Sequence, residues 1–157
     1  PTLDVHYFTL QRWRRGDYAV LLAMVLLALA VVAVIPFVPG LRDAYPRLGD
    51  LPGPARVQFL LHQVIWTFSW LVGWEFLHRY VLLTRLRSWW RPGAWIVVPA
   101  VEGLYHVIQG KHWLESVGVV IFSVVACGWT IKRRNTLLPF LAHLMIELAL
   151  IGFLLTG

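Results

Sequence analysis

Residues 18–38 read YAVLLAMVLLALAVVAVIPFV, an apolar run with no charged side chain. About 20 such residues cross the hydrocarbon core of a bilayer as a helix. The stretch therefore predicts a membrane span, and with it the class of the chain. It is longer than a typical signal-peptide core, and no small-residue cleavage site follows it cleanly. Pro36, Pro39 and Gly40 close it.

Outward from this run the pattern repeats. Residues 40–57, rich in proline and glycine, read as a loop. Further spans are expected at about 57–86, 94–110, 114–131 and 136–155, the second long enough to tilt or project past the membrane. Pro99 is expected to kink the third. Basic and aromatic clusters separate them: Arg85 to Arg91 with Trp89 and Trp90, Lys111-His112-Trp113, and Lys132-Arg133-Arg134. The expected fold is all-α, a polytopic membrane helix bundle of about five transmembrane helices. A cytoplasmic N-terminal segment, 1–16, would precede a single transmembrane domain, 17–157. The chain starts at Pro1 rather than Met, which fits a fragment or a processed form.

Composition agrees. The 157 residues are 59% hydrophobic and only 14% charged, with mean hydropathy +0.67, outside the range of soluble domains. The net charge of +6 does not form a nucleic-acid patch, so no nucleic-acid partner is expected. The charges lie between apolar runs, as topology signals do. Arg12, Arg14, Arg15, Arg85, Arg87, Arg91, Lys132, Arg133 and Arg134 fall on one side, nine in all, against Arg42, Arg47, Arg56 and Lys111 on the other. This bias puts the N-terminus in the cytoplasm and the C-terminus outside. The single cysteine, Cys127, has no partner for a disulfide. Gly118, Ser123, Ala126 and Gly128 suggest close helix packing.

All four glutamates, Glu75, Glu102, Glu115 and Glu147, lie in or at the edge of these spans. A charge at mid-bilayer costs about 2.5–3.5 kcal/mol on insertion scales, and such residues face a bundle interior. Glu75 and Arg79 stand at i and i+4, with the glutamate N-terminal, the better orientation for a helix ion pair. A structural ion pair explains them as well as a reactive one does. His106 ends the third span and Glu102 stands four residues before it, as its helix-face partner. His143 and Glu147 form another i, i+4 pair. That spacing could hold a metal, but the rest of a zincin-like motif is missing. Glu115 opens the fourth span, where a carboxylate suits a helix N-terminus. Residue counting puts Glu75 and His143 in the cytoplasmic half of the membrane and His106 nearer the outer end. Their convergence would need a kink, a tilt or a water-filled cavity.

The order Glu-x-x-x-Arg (75–79), a histidine ending the next span (106), and His-x-x-x-polar on the last (143–147) resembles the CPBP family. These are the CAAX-protease and bacteriocin-processing intramembrane proteases. Lys111 to Gly118 and Arg133 to Pro139 also look like segments of family members, so the likeness runs from about Gln58 to Leu155. Three positions differ. Many members carry a further Glu where this chain has Trp74, a Gly where it has Tyr80, and an Asn where it has Glu147.

The resemblance implies a CPBP-like core and a glutamic-type peptidase with no metal or other cofactor. Glu75 would activate water, His106 and His143 would orient it and stabilise the oxyanion, and Arg79 would orient Glu75 and keep it ionised. Glu147 would fix a histidine tautomer. Glu102 and Glu115 are secondary, with structural roles favoured. The implied partners are membrane lipid and a membrane-associated protein or peptide, in the inner (cytoplasmic) membrane of a bacterium or archaeon. A prenylated tail, a bacteriocin leader and a C-terminal sorting anchor all fit as substrates. The alternatives are a non-catalytic scaffold or immunity protein of the same fold, and a metal-dependent hydrolase using His106, His143 and Glu147.

Overall fold

The structure, a computed structural model, describes residues 4–10, 13–45 and 47–156. Arg12, counted above in the N-terminal basic flank, lies outside the described residues, as do residues 1–3 and 11 of the expected N-terminal segment. The described residues are helical, without strands. The helices are α1 (Arg15–Val34), α2 (Pro39–Ala44), α3 (Gly53–Glu75), α4 (Leu83–Trp89), α5 (Arg91–Ile108), α6 (Trp113–Arg133) and α7 (Leu137–Leu155). The all-α membrane fold expected from the sequence is the one found.

Among the described residues, three segments are long and apolar enough to cross a membrane: Arg15–Phe37, Trp113–Arg133 and Leu137–Leu155. Gly93–Ile108 is apolar but shorter. The expected span at 57–86 is less apolar, because Gln58, His62 and Gln63 lie in its first half and Arg56 stands just before it. It is also not one uniform helix. Between α3 and α4, Phe76–Leu82 winds as a π-helix. The expected loop at 40–57 includes α2, which Pro39 opens from its first position, where a missing N–H costs nothing. Helix α5 runs through Pro99.

The chain divides into two compact units: Pro1–Arg12 with Gly73–Pro139, and Trp13–Val72 with Phe140–Gly157. In the second unit, Asp17 opens α1 by accepting the Arg14 N–H at 2.5 Å. Further along, the Leu48 N–H donates to the Leu154 carbonyl at 2.6 Å, and Arg47 lies over the Phe153 ring.

The first unit is built on α5 and α6. Gly103 of α5 faces Val120 of α6 so closely that a Cβ would collide with the valine. Ser123, Ala126 and Cys127 are buried, and Trp95 covers Gly128. Gly118, grouped with these from the sequence, is exposed and outside this packed face. Leu83, Ala94, Val98 and Cys127 form the core of the unit.

Residues 4–9 belong to this unit as well. Tyr7 and Phe8 pack their rings on Tyr80, and Phe8 also stacks on Phe76. The Tyr80 hydroxyl accepts the Asp4 N–H at 2.7 Å. Asn135 ties this segment to the start of α7: its Nδ2 donates to the Thr9 carbonyl at 2.8 Å, and its Oδ1 accepts the N–H groups of Leu137 and Leu138. A helix-capping side chain of this kind contributes about 1 kcal/mol. Asn135→Ala should lower the unfolding free energy in detergent by about 1–2 kcal/mol. Asn135→Asp, which keeps the acceptor and loses the donor, should lose less.

Candidate active site

Glu75, at the end of α3, and Arg79, in the π-helical turn, are both buried. In an α-helix, positions four apart drift by about 40° per step. The wider i→i+5 winding turns each residue through a smaller angle and recovers part of that drift. Glu75, Arg79 and Leu83 accordingly form a buried stripe, at 2%, 0% and 1% exposure. π-Turns of this kind are frequent at functional sites.

The guanidinium of Arg79 is the hub. Its Nη1 donates to Glu102 Oε1 at 2.5 Å and its Nη2 to Glu102 Oε2 at 2.9 Å. This two-pronged, charge-assisted geometry is the strong form of an arginine–carboxylate pair. Its Nε faces Glu75 Oε2 at 3.4 Å, an ion pair within one helix turn. Nη1 also reaches the Cys127 sulfur at 3.7 Å, and the Phe122 ring lies 6.0 Å from the guanidinium. Arg79 therefore joins the π-turn to α5 and α6.

This corrects the expectation for Glu102. His106 turns its Nδ1 to the Glu102 backbone carbonyl at 3.0 Å, not to the carboxylate. The carboxylate faces across the helix pair and is fully buried against Arg79. Spacing of i, i+4 along one helix could not reveal a partner on another.

Trp74 lies against Tyr105, ring centres 5.0 Å apart, and Arg79 against Glu102. The two helical segments are thus antiparallel, in a register that carries His106 to the level of Glu75. Glu75 stands fifteen residues before Trp90 and His106 sixteen after it. Counted from the turn at Trp90, the two residues stand at similar heights.

His78, one residue before Arg79, is buried as well. Its Nδ1 bonds the Trp74 carbonyl at 2.9 Å, and its ring lies 4.1 Å from the Trp74 ring. Glu115 is in the first turn of α6, as expected. His143 and Glu147 are on α7 in the other unit. Their closest approach is 3.9 Å, between Nε2 and Oε1, and the Trp70 ring meets His143 edge-on at 5.8 Å. Among the described residues, no three His, Cys, Asp or Glu side chains are grouped to hold a metal. Sequence reading missed the contacts of Arg79 with Phe122 and Cys127. Cys127 was visible only as a lone thiol in an apolar run, with no local signal of its neighbour.

An arginine with two glutamates, buried in the first unit, is a polar centre in an apolar helical setting, and with three segments of membrane length among the described residues the chain is an integral membrane protein. A sequence model described as type II CAAX prenyl endopeptidase Rce1-like matches residues 56–149, more than half of the chain. The chain belongs to that family, as the ordered motifs at 75–79, 106 and 143–147 had indicated. Its general class is that of membrane-embedded endopeptidases acting on protein or peptide substrates. No curated protein and no solved structure matches the chain.

Removing Arg79 would leave Glu75 and Glu102 buried beside each other without their cation. Breaking a buried pair from one side costs about 3–5 kcal/mol. Arg79→Ala should therefore destabilise the protein by about that much, measured by reversible unfolding in mixed micelles. Arg79→Lys, which keeps the charge but loses the fork, should fall between Arg79→Ala and the native protein.

Proposed function

We propose that the chain is a glutamate-dependent intramembrane endopeptidase in which Glu75 is the general base. The observation that carries this reading is the division of labour around Arg79. One cation faces two carboxylates, and both of its terminal nitrogens bond Glu102. Glu102 is thus the counter-ion that fixes the arginine. Glu75 is held by charge at 3.4 Å, so its proton can change hands without dismantling the pair that joins the helices.

In the reaction, Glu75 takes a proton from water as the water oxygen attacks the peptide carbonyl carbon. A tetrahedral oxyanion forms. His106, level with Glu75, donates to that oxyanion, the interaction that most often dominates such reactions. Its Nδ1 is engaged by the Glu102 carbonyl, so Nδ1 carries the hydrogen of the neutral ring when that bond is made. Donation from Nε2 then calls for the protonated ring. The intermediate collapses by breaking the C–N bond, and the proton held by Glu75 passes to the leaving amine. The products are a carboxylic acid and an amine, which settle as carboxylate and ammonium by exchange of the acid proton. His143 enters this reading on its motif alone, with Glu147 as the partner that sets its tautomer. No metal has a step in this scheme.

The family supports a membrane-associated protein or peptide as the substrate, and a C-terminal tail near the bilayer surface fits that reading. The nine-to-four basic bias supports an N-terminus in the cytoplasm and a C-terminus outside, in a bacterial or archaeal inner membrane.

The test compares protein termini in native membranes carrying the intact protein or Glu75→Gln at equal abundance. New termini should be present with the native protein and absent with Glu75→Gln. On the substrate so identified, Glu75→Gln should slow cleavage by about 10²–10⁴-fold, the range for loss of a general base. His106→Ala should slow it by about 10²–10³-fold. Unfolding of Glu75→Gln should stay close to native, because the Arg79–Glu102 pair remains. Identical termini in both membranes would instead support the scaffold reading, with Glu75–Arg79 a structural pair. Loss of cleavage on chelation, restored by added metal, would replace the glutamic scheme with the metal-dependent one.

A further inference from the structure

Arg85–Arg91 and Lys132–Arg134 are basic clusters between apolar runs, as topology signals are. In the first unit these two clusters face each other across a cleft of about 610 Å³. Arg87 and Arg91 line it from one side, Lys132 and Arg134 from the other. All four are exposed, and no carboxylate lines the cleft. Leu83 and Ile131 supply apolar lining. Arg79 is eight residues before Arg87, roughly 12 Å along the helix, so the cleft is separate from the glutamate centre.

Four cations and no anion in one cleft repel each other unless a counter-charge enters. The chain supplies only part of an answer. Arg87 donates from Nη1 to the Ile131 carbonyl at 3.1 Å, which satisfies a carbonyl at the end of α6. Among the described residues, Arg91, Lys132 and Arg134 have no ion-pair partner. The hydroxyls of Thr84 and Ser88 donate to the Tyr80 and Arg85 carbonyls. Thr130 also lines the cleft. It is 1% exposed, and its hydroxyl has no hydrogen-bond partner among the described residues.

We infer that this cleft binds the phosphate of an anionic phospholipid headgroup. The ligand chemistry is a phosphate, and three features favour a lipid as its source over free phosphate. The cleft far exceeds the volume of one phosphate ion. Its apolar residues suit the glycerol end of a lipid, which an inorganic ion lacks. Trp89 and Trp90, exposed at 85% and 51%, adjoin it in sequence and mark that end of the helices as membrane interface. Basic pockets between transmembrane helices bind anionic headgroups in this way.

The experiment releases the full chain from bilayers of equimolar phosphatidylglycerol and phosphatidylcholine and counts retained lipids by native mass spectrometry. The native protein should retain phosphatidylglycerol about 10-fold or more over phosphatidylcholine. Arg91→Gln with Lys132→Gln should bring that preference to near unity. Arg85→Gln, which removes a charge of the same cluster that does not line the cleft, should leave it unchanged. If the double variant does not fold, Lys132→Gln alone should lower the preference several-fold. An equal loss with Arg85→Gln would overturn the proposal in favour of diffuse surface attraction. Displacement of the lipid by millimolar inorganic phosphate would overturn the lipid source. So would retention of a peptide with a free C-terminal carboxylate, but not its amide, in place of the lipid.

Discussion

The cost of burying Arg79 is the constraint on which the first unit depends. A guanidinium with no exposure in an apolar helical setting is tolerable only when its donors are met. Glu102 meets two of them from α5. The same pair then fixes how α5 stands against the π-turn, because a fork of two bonds fits in few registers. Buried ion pairs are poor sources of net stability, and their best-attested use is to specify an arrangement. Here the arrangement specified is the antiparallel register that brings Glu75 and His106 to one level.

The π-turn and the N-terminal segment serve the same register. A regular α-helix over 75–83 would carry the buried stripe progressively around the rod. The wider turn straightens it, at the cost of a less regular backbone. That backbone is supported on its outer side by the Tyr7, Phe8, Phe76 and Tyr80 rings and by the Asp4–Tyr80 hydrogen bond. Tyr80 stands where many relatives of this type have glycine. It gives residues 4–9 a partner that a glycine could not.

The membrane class, the existence of the apolar helices and the membership of the family were legible in the sequence. Each rests on a signal summed over many residues: apolar runs, basic flanks, and motifs in fixed order. What was not legible is local or crosses between helices. No proline or glycine within Phe76–Leu82 announces the π-turn. Nothing near Asn135 in the sequence points to Thr9, more than a hundred residues away. Glu102 was noticed as a carboxylate in an apolar run, but its partner was sought four residues along the same helix. The pair with Arg79 follows only once the helices are folded back at Trp90. The burial cost did point the right way: a mid-span carboxylate and a mid-span arginine each need an opposite charge. Pairing Glu75 with Arg79 left Glu102 without one.

Trp74 sharpens the assignment of roles among the carboxylates. At the position where many relatives have a further glutamate, this chain has an indole that lies against His78 and Tyr105. A further carboxylate on this turn would find the terminal nitrogens of Arg79 already bonded to Glu102, and would add negative charge where the indole adds none. The aromatic ring fills the space between the π-turn and α5. With that position apolar, the α3 side of the centre carries one carboxylate, Glu75. On the function proposed above, the charge count at Arg79 comes to one fixed counter-ion and one group that would exchange a proton, the minimum a base-assisted hydrolysis requires.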